Sequence, residues 1–419
     1  MATAAFDADQ PVGDRGRADD RGGDMSQSRT RPSIPRSLRG FSLVELLVAV
    51  TIGLVVTLAV FGVLAASEGR KRTSVSLNDA NQSGAYAAYT LDRLIRSAGS
   101  GFTDGWTRVG ACRLNAQLPA SQTWPRAAAL PVPFAGVPQT LRLAPIVIFQ
   151  GASGAGSDVL MVMSGSAGFG ESPASLLPRT GTDVAANQWR LNNTIGFRGG
   201  DLVMLAGAGE CLLTQLTAGF VGGATQALPF DTAGAYYTAS GSNTSMTALA
   251  SLSNTDAFAI GNIANNTPQF QLFGVGDNST LFSYDLLLIN GQNVPLPLAE
   301  GVIALRAVYG VDTNDNGVID DWVAPTGATW GGAALMDGSA ASAANLRRIV
   351  AVRLGLVMRS SLVERENVAP ATLNLFADLS SGGTPGALTR TVTIAAADQT
   401  MRHRTIELTV PVRNLLLRP

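Results

Sequence analysis

Gly40-FSLVELLVAVTIGLVVTLAVFGVLAA-Ser67 is the stretch on which the reading of this chain turns. From Leu46 to Ala66 run 21 residues without a charge or a proline. At about 1.5 Å per residue, a helix of that length crosses a hydrocarbon core of about 30 Å. Uncharged runs this long are rare in the core helices of soluble domains. A cleaved secretory signal would carry a shorter apolar block ending at an A-x-A-like site, whereas here the helical pattern continues beyond the block. A single membrane-spanning helix is therefore expected.

The flanks add chemistry to that helix. Glu45 stands at the mouth of the apolar run, and a carboxylate this close to hydrocarbon is costly unless it finds a partner. The bland alternative is a carboxylate at the headgroup boundary. Cleavage after Gly40 would place Glu45 fifth in a new chain and free an amine on Phe41. Amine and carboxylate could then neutralise each other within one apolar environment. The combination of Gly40, Phe41, Glu45 and the uninterrupted apolar run resembles the signal of type IV pilins and type II secretion pseudopilins. The resemblance implies cleavage between Gly40 and Phe41 by a prepilin peptidase, N-methylation of Phe41, and pairing of Glu45 with a neighbouring subunit's amine during assembly.

Residues 1–40 then read as a prepilin leader. Its first 24 residues hold six acids and three arginines, whereas Arg29, Arg31, Arg36 and Arg39 follow Met25 with no acid among them. A basic flank suits the cytoplasmic side of a span, so Met25 is the expected start of translation. Residues 41–72 are assigned to the membrane half of one long helix and 73–101 to an amphipathic half. In the latter, Leu77, Ala80, Gly84, Ala87, Leu91, Leu94 and Ala98 recur at alternating spacings of three and four, which draws one narrow apolar stripe. That stripe is expected to pack on a globular domain, and Gly99 and Gly101 are expected to stop the helix.

Residues 102–419 read as a β-rich domain with long loops. Short apolar runs alternate with Gly, Pro, Asn and Ser clusters. Strands are expected at 143–149, 158–163, 201–205, 211–216, 284–289, 302–309, 349–358, 390–394 and 405–412. Segments 217–280 and 324–346 are expected to be long loops or surface insertions. The overall expectation is an α+β, pilin-like fold: a long N-terminal helix packed on an antiparallel β-rich domain.

Within the pilin group, LDRLIRSAG (91–99), SDVLMVM (157–163), GDLVML (200–205), the run 298–322, IVAVRLGLVMRS (349–360) and RTIELTVPVRN (404–414) resemble the landmarks of PilW-type minor pilins. The resemblance implies a minor pilin that primes or initiates pilus assembly at the inner membrane. It would be a single-pass protein with a periplasmic C-terminal domain that later joins the pilus or cell surface. Its implied partners are other minor pilins, the major pilin, the prepilin peptidase, the inner-membrane assembly platform and a tip adhesin. A J-like pseudopilin of type II secretion and a DNA-uptake minor pilin are the alternatives.

Composition narrows the chemistry. Thirty basic residues face 31 acidic ones among 419. Removing residues 1–40 takes away seven basic and six acidic side chains and leaves a net charge of −2. No nucleic-acid partner is expected, because such a surface is usually strongly basic. One histidine, His403, and two cysteines, Cys112 and Cys211, exclude multi-histidine metal centres and four-cysteine zinc sites. His403 lies in MRHRTIE and has no nucleophile beside it in sequence. GASGAGSD (151–158) precedes a strand-like run rather than the helix N-terminus that a phosphate cradle needs. No enzyme activity is expected. The two cysteines fall on the oxidising side of the membrane and are expected to form a disulfide, with two unrelated buried thiols as the alternative.

The densest acidic segment is DTNDNGVIDD (312–321). Asp312, Asn314 and Asn316, followed by Gly317 and the Val318 carbonyl, match the first half of an EF-hand-type loop. The twelfth position is Val323 instead of Glu, so Asp320 or Asp321 would have to close a Ca2+ shell. The other reading is an Asn/Asp/Gly hairpin turn that needs no ion.

Overall fold

The structure, a computed structural model, describes residues 40–154, 156–167, 173–177, 188–223 and 225–416. The leader and the Met25 start lie outside these described residues. The chain divides into two compact units between Ala65 and Ala66.

In the first unit, Ser42 opens a helix that begins at Leu43 and ends, in the second unit, at Ser97. The Ser42 hydroxyl accepts the Glu45 amide at 3.3 Å, which satisfies one of the helix's free N–H groups. Glu45 in the first turn suits the positive end of the helix dipole. No proline occurs between Leu43 and Ser97, so the hydrogen-bond ladder is not broken on that account. Every residue from Gly40 to Ala65 is exposed. Length and apolar composition together make this helix long enough to cross a membrane.

In the second unit the helix becomes one-sided, as its sequence period requires. Gly84, Ala87, Leu91, Leu94 and Ala98 of the expected stripe are buried, Leu77 and Ala80 half-buried, and Ser76 and Ile95 join the buried face. The helix ends where expected. Gly99 takes a positive φ of 83° and its amide donates to the Met163 carbonyl at 2.8 Å. The carbonyls of Ser97, the last residue of the helix, and of Ala98 just after it accept the Asn414 side-chain amide at 3.1 and 3.0 Å.

Among the described residues the strands build three larger sheets. The first runs in the order Thr123–Trp124, Arg113–Gln117, Glu210–Gln215, Asp201–Gly207, Asp256–Asn262, Ala174–Ser175. The second runs Leu296–Glu300, Thr280–Asp285, Gln269–Gly276, Val159–Ser164, Ile146–Phe149. The third runs Asp321–Val323, Val302–Val311, Ile349–Arg359, His403–Pro411. One contiguous core joins the buried helix face to all three. Smaller cores lie under the 174–259 and 304–394 segments.

Three expectations need correction. The sheets are not wholly antiparallel, because Arg113–Gln117 pairs in parallel with Glu210–Gln215. Segments 217–280 and 324–346 are not long loops. The first supplies the buried strand Asp256–Asn262 and the central strand Gln269–Gly276, and the second holds the helices Gly327–Trp330, Gly332–Leu335 and Ala340–Arg348. Asp256–Asn262 is buried along its whole length, so its Ala- and Gly-rich sequence shows no alternation. Finally, the strand expected at 284–289 ends at Asp285. The Asp285 carboxylate accepts the amides of Leu287 and Ile289 at 2.9 and 2.8 Å and folds Leu286–Leu288 into a buried turn.

Candidate functional site

The residues expected to be processed sit in the first unit on open backbone. Gly40 precedes the helix, and a Cβ added there would meet nothing within 4 Å. Its glycine is therefore not demanded by packing. Phe41 is 81% exposed. Glu45 lies on the first helical turn among exposed Leu43, Val44, Leu46 and Leu47, with its backbone amide held by Ser42. An exposed carboxylate on the first turn, followed by an apolar run, is an arrangement that can pair with an amine in a low-dielectric setting.

In the second unit the helix packs closely on the third sheet, and polar contacts tie it to that sheet, to the edge strand Leu296–Glu300 of the second sheet and to the segment after Arg359. A Cβ at Gly84 would lie 2.6 Å from Ile406 Cδ1 and 3.0 Å from Met358 Cγ. Ser76 Oγ accepts the amides of Ser361 and Leu362, both at 3.1 Å. The Ser83 hydroxyl donates to the Glu300 carbonyl at 2.7 Å, and Arg404 donates to Asn81 Oδ1 at 3.0 Å. Ser76 and Ser83 were not legible as contacts in the sequence, since a serine on a helix is usually solvated.

Cys112 and Cys211 form a disulfide with Cα atoms 5.4 Å apart. Both are buried. The bond fastens the strand pair that is parallel, the one such pair among the described residues, and Arg113 and Glu210 add a two-pronged ion pair at 2.5 and 3.0 Å beside it. Asn115 donates to Glu210 Oε2 at 2.9 Å and to the Cys211 carbonyl at 3.2 Å.

The acidic segment forms a tight turn between the strands Val302–Val311 and Asp321–Val323. Buried Asp312 accepts the amides of Asn314, Asn316 and Gly317 at 3.2, 3.2 and 2.7 Å. Asp320 accepts the Thr313 amide and hydroxyl and the Asn314 side-chain amide, contacts that hold its carboxyl below the usual carboxylate range. The Asn316 side-chain oxygen accepts the Val318 amide at 2.8 Å. Asp321 accepts the amides of Trp322 and Gly382. The acids expected to hold Ca2+ are thus each engaged by donors of the chain. Among the described residues no group of three His, Cys, Asp or Glu side chains is placed to hold a metal ion.

His403 opens the edge strand of the third sheet, with Nδ1 3.0 Å from the Met401 carbonyl. Burial pushes its imidazole below the usual histidine value.

The family described as Type IV Pilus-assembly protein W, PilW, matches residues 258–414, and the prokaryotic N-terminal methylation motif matches residues 36–67. These two matches support a PilW-family type IV pilus protein. The PilW match holds the third sheet with its acidic turn and most of the second. Three of the landmarks, 298–322, 349–360 and 404–414, lie inside it, while LDRLIRSAG, SDVLMVM and GDLVML lie outside. Neither the curated proteins nor the solved structures yielded a match.

Proposed function

We propose that this PilW-family chain is a minor pilin that primes or initiates type IV pilus assembly within a minor-pilin complex. In this reading a prepilin peptidase cuts between Gly40 and Phe41, and the new Phe41 amine is methylated. The apolar half of the helix holds the chain in the inner membrane with its β-rich domain in the periplasm. Glu45 then draws the chain into the assembly by pairing with a neighbour's terminal amine. The assembly platform, the major pilin and a tip adhesin complete the set of proposed partners, and no catalytic role is assigned.

One observation carries the reading: the methylation-motif match at residues 36–67 takes in the start of a helix, from Leu43, whose residues are exposed throughout the first unit. Such an apolar face needs lipid or other helices around it. Gly40 supports the reading as well, because the fold makes no demand for a glycine there.

Deleting the gene and counting surface filaments tests the role. Strong loss of filaments, restored by the wild-type gene, is the expected result. Unchanged filament number together with loss of protein secretion would move the chain to the pseudopilin alternative.

A further inference from the structure

Among the described residues Arg126 is the one basic side chain that is buried, at 7% exposed. It follows the strand Thr123–Trp124 at the edge of the first sheet, and its backbone amide donates to the Gln139 carbonyl at 2.8 Å. The guanidinium reaches across to the second sheet and the loop after it. Nη2 donates to Tyr284 Oη at 3.0 Å and to Asn293 Oδ1 at 2.8 Å. The Tyr284 hydroxyl donates to the same Asn293 oxygen at 2.6 Å. Trp124 lies on another side, with Arg126 Cζ 5.5 Å from its ring centroid. Nη1 is buried and has no hydrogen-bond partner.

The surroundings of this guanidinium do not match its charge. An arginine keeps its proton in a protein, and a buried charge is costly without a counter-charge. Arg113, Arg306, Arg353 and Arg390 are more exposed than Arg126, yet each meets a carboxylate. Arg126 meets none among the described residues, since its two acceptors are a phenol and an amide. Asp285, next to Tyr284, spends its carboxylate on the amides of Leu287 and Ile289. The site is thus one negative charge short, and the Nη1 hydrogens are the donors left to meet it. Asn293 is half-buried between exposed Gln292 and Val294, which puts the site beneath a surface loop. A small monovalent anion fits these conditions. A divalent oxyanion would leave excess charge and need more donors than one guanidinium edge supplies. An acidic side chain of another protein would have to displace the loop.

We propose that Arg126 holds a small monovalent anion of the chloride type through Nη1, beneath the 291–294 loop and beside the Trp124 ring. The ion completes the charge of a polar contact between the first and second sheets, so its binding stabilises the folded chain by mass action. The site lies within the second unit and is independent of the assembly reading above.

Melting the full-length chain in detergent, with sodium chloride exchanged for sodium gluconate at constant ionic strength, tests the site, because gluconate is too large to be enclosed there. The expected result for the wild type is a saturable rise of at least about 2 °C by roughly 100 mM chloride. Asn293→Asp supplies the missing charge from within the chain. It should melt in gluconate at or above the wild-type midpoint in chloride, with no further rise when chloride is added. Chlorine NMR should show the chloride line broadened by the wild type and left narrow by Asn293→Asp. A wild-type midpoint with no saturable response to chloride, an Asn293→Asp variant that keeps the wild-type response, or equal broadening by the two proteins would overturn the proposal.

Discussion

Gly84 on the long helix lies directly against Ile406 on the edge strand of the third sheet. A Cβ added at Gly84 would sit 2.6 Å from Ile406 Cδ1. Gly84→Val must therefore displace the side chains of Ile406 and Met358, and overpacking of this kind costs about 1–3 kcal/mol. Thermal or chemical melting of the full chain in detergent should show the loss. Combining Gly84→Val with Ile406→Ala should recover part of it, whereas an unchanged midpoint in the single variant would contradict the packing.

Cys112 and Cys211 close a loop across 99 positions of sequence. By chain entropy, a crosslink of that span contributes roughly 4–5 kcal/mol. The double variant Cys112→Ser, Cys211→Ser should unfold at clearly lower denaturant. The Arg113–Glu210 pair should keep the parallel strands together once folded, so the far-UV circular dichroism of the folded variant should match that of wild type.

Ser76 Oγ serves two amides, those of Ser361 and Leu362. Ser76→Ala leaves both without this acceptor, at a cost of about 0.5–1.5 kcal/mol, since water can reach these partly exposed amides. Hydrogen exchange should report the change locally: faster exchange at residues 361 and 362, with the strand Ile349–Arg359 little affected.

His403 predicts a pH dependence with a defined sign. Burial holds its folded-state value below the usual 6.5, so the unfolded chain takes up the proton first as pH falls. Its contribution is therefore fully present above about 6.5 and is lost as pH falls toward the folded value. His403→Gln should flatten the stability profile in that window. Asp201 and Asp285, both raised by burial, act in the opposite sense at pH above the usual carboxylate range. The variant-minus-wild-type difference isolates the histidine.

The acidic turn 312–321 is closed by hydrogen bonds from its own backbone and side chains. Melting should consequently be the same in chelator and in millimolar Ca2+. A Ca2+-dependent rise in melting temperature, abolished by Asp312→Asn, would instead assign the turn to the cation that its sequence suggested.

The helix was legible because two separate signals agree on it. An uncharged run gives its first half, and a three-four spacing that stops at Gly99 gives its second. The strands of the third sheet were legible because Val302–Val311, Ile349–Arg359 and His403–Pro411 are long and rich in branched residues. Asp256–Asn262 was not, because a strand buried along its length carries no period of two, and Ala and Gly there look like loop residues. The buried turn after Asp285 was hidden for the converse reason: three leucines suggest a strand, while the carboxylate that bends them is a single residue. Ser76 and Ser83 gained their partners only through long-range folding, which no local pattern reports.

The central claim is that this chain is trimmed and modified at the start of its apolar helix. Mass spectrometry of the protein recovered from membranes or filaments tests it most directly. The account predicts a chain that begins at Phe41 with a methylated amine. A chain that retains residues before Phe41, with Phe41 unmodified, would contradict it.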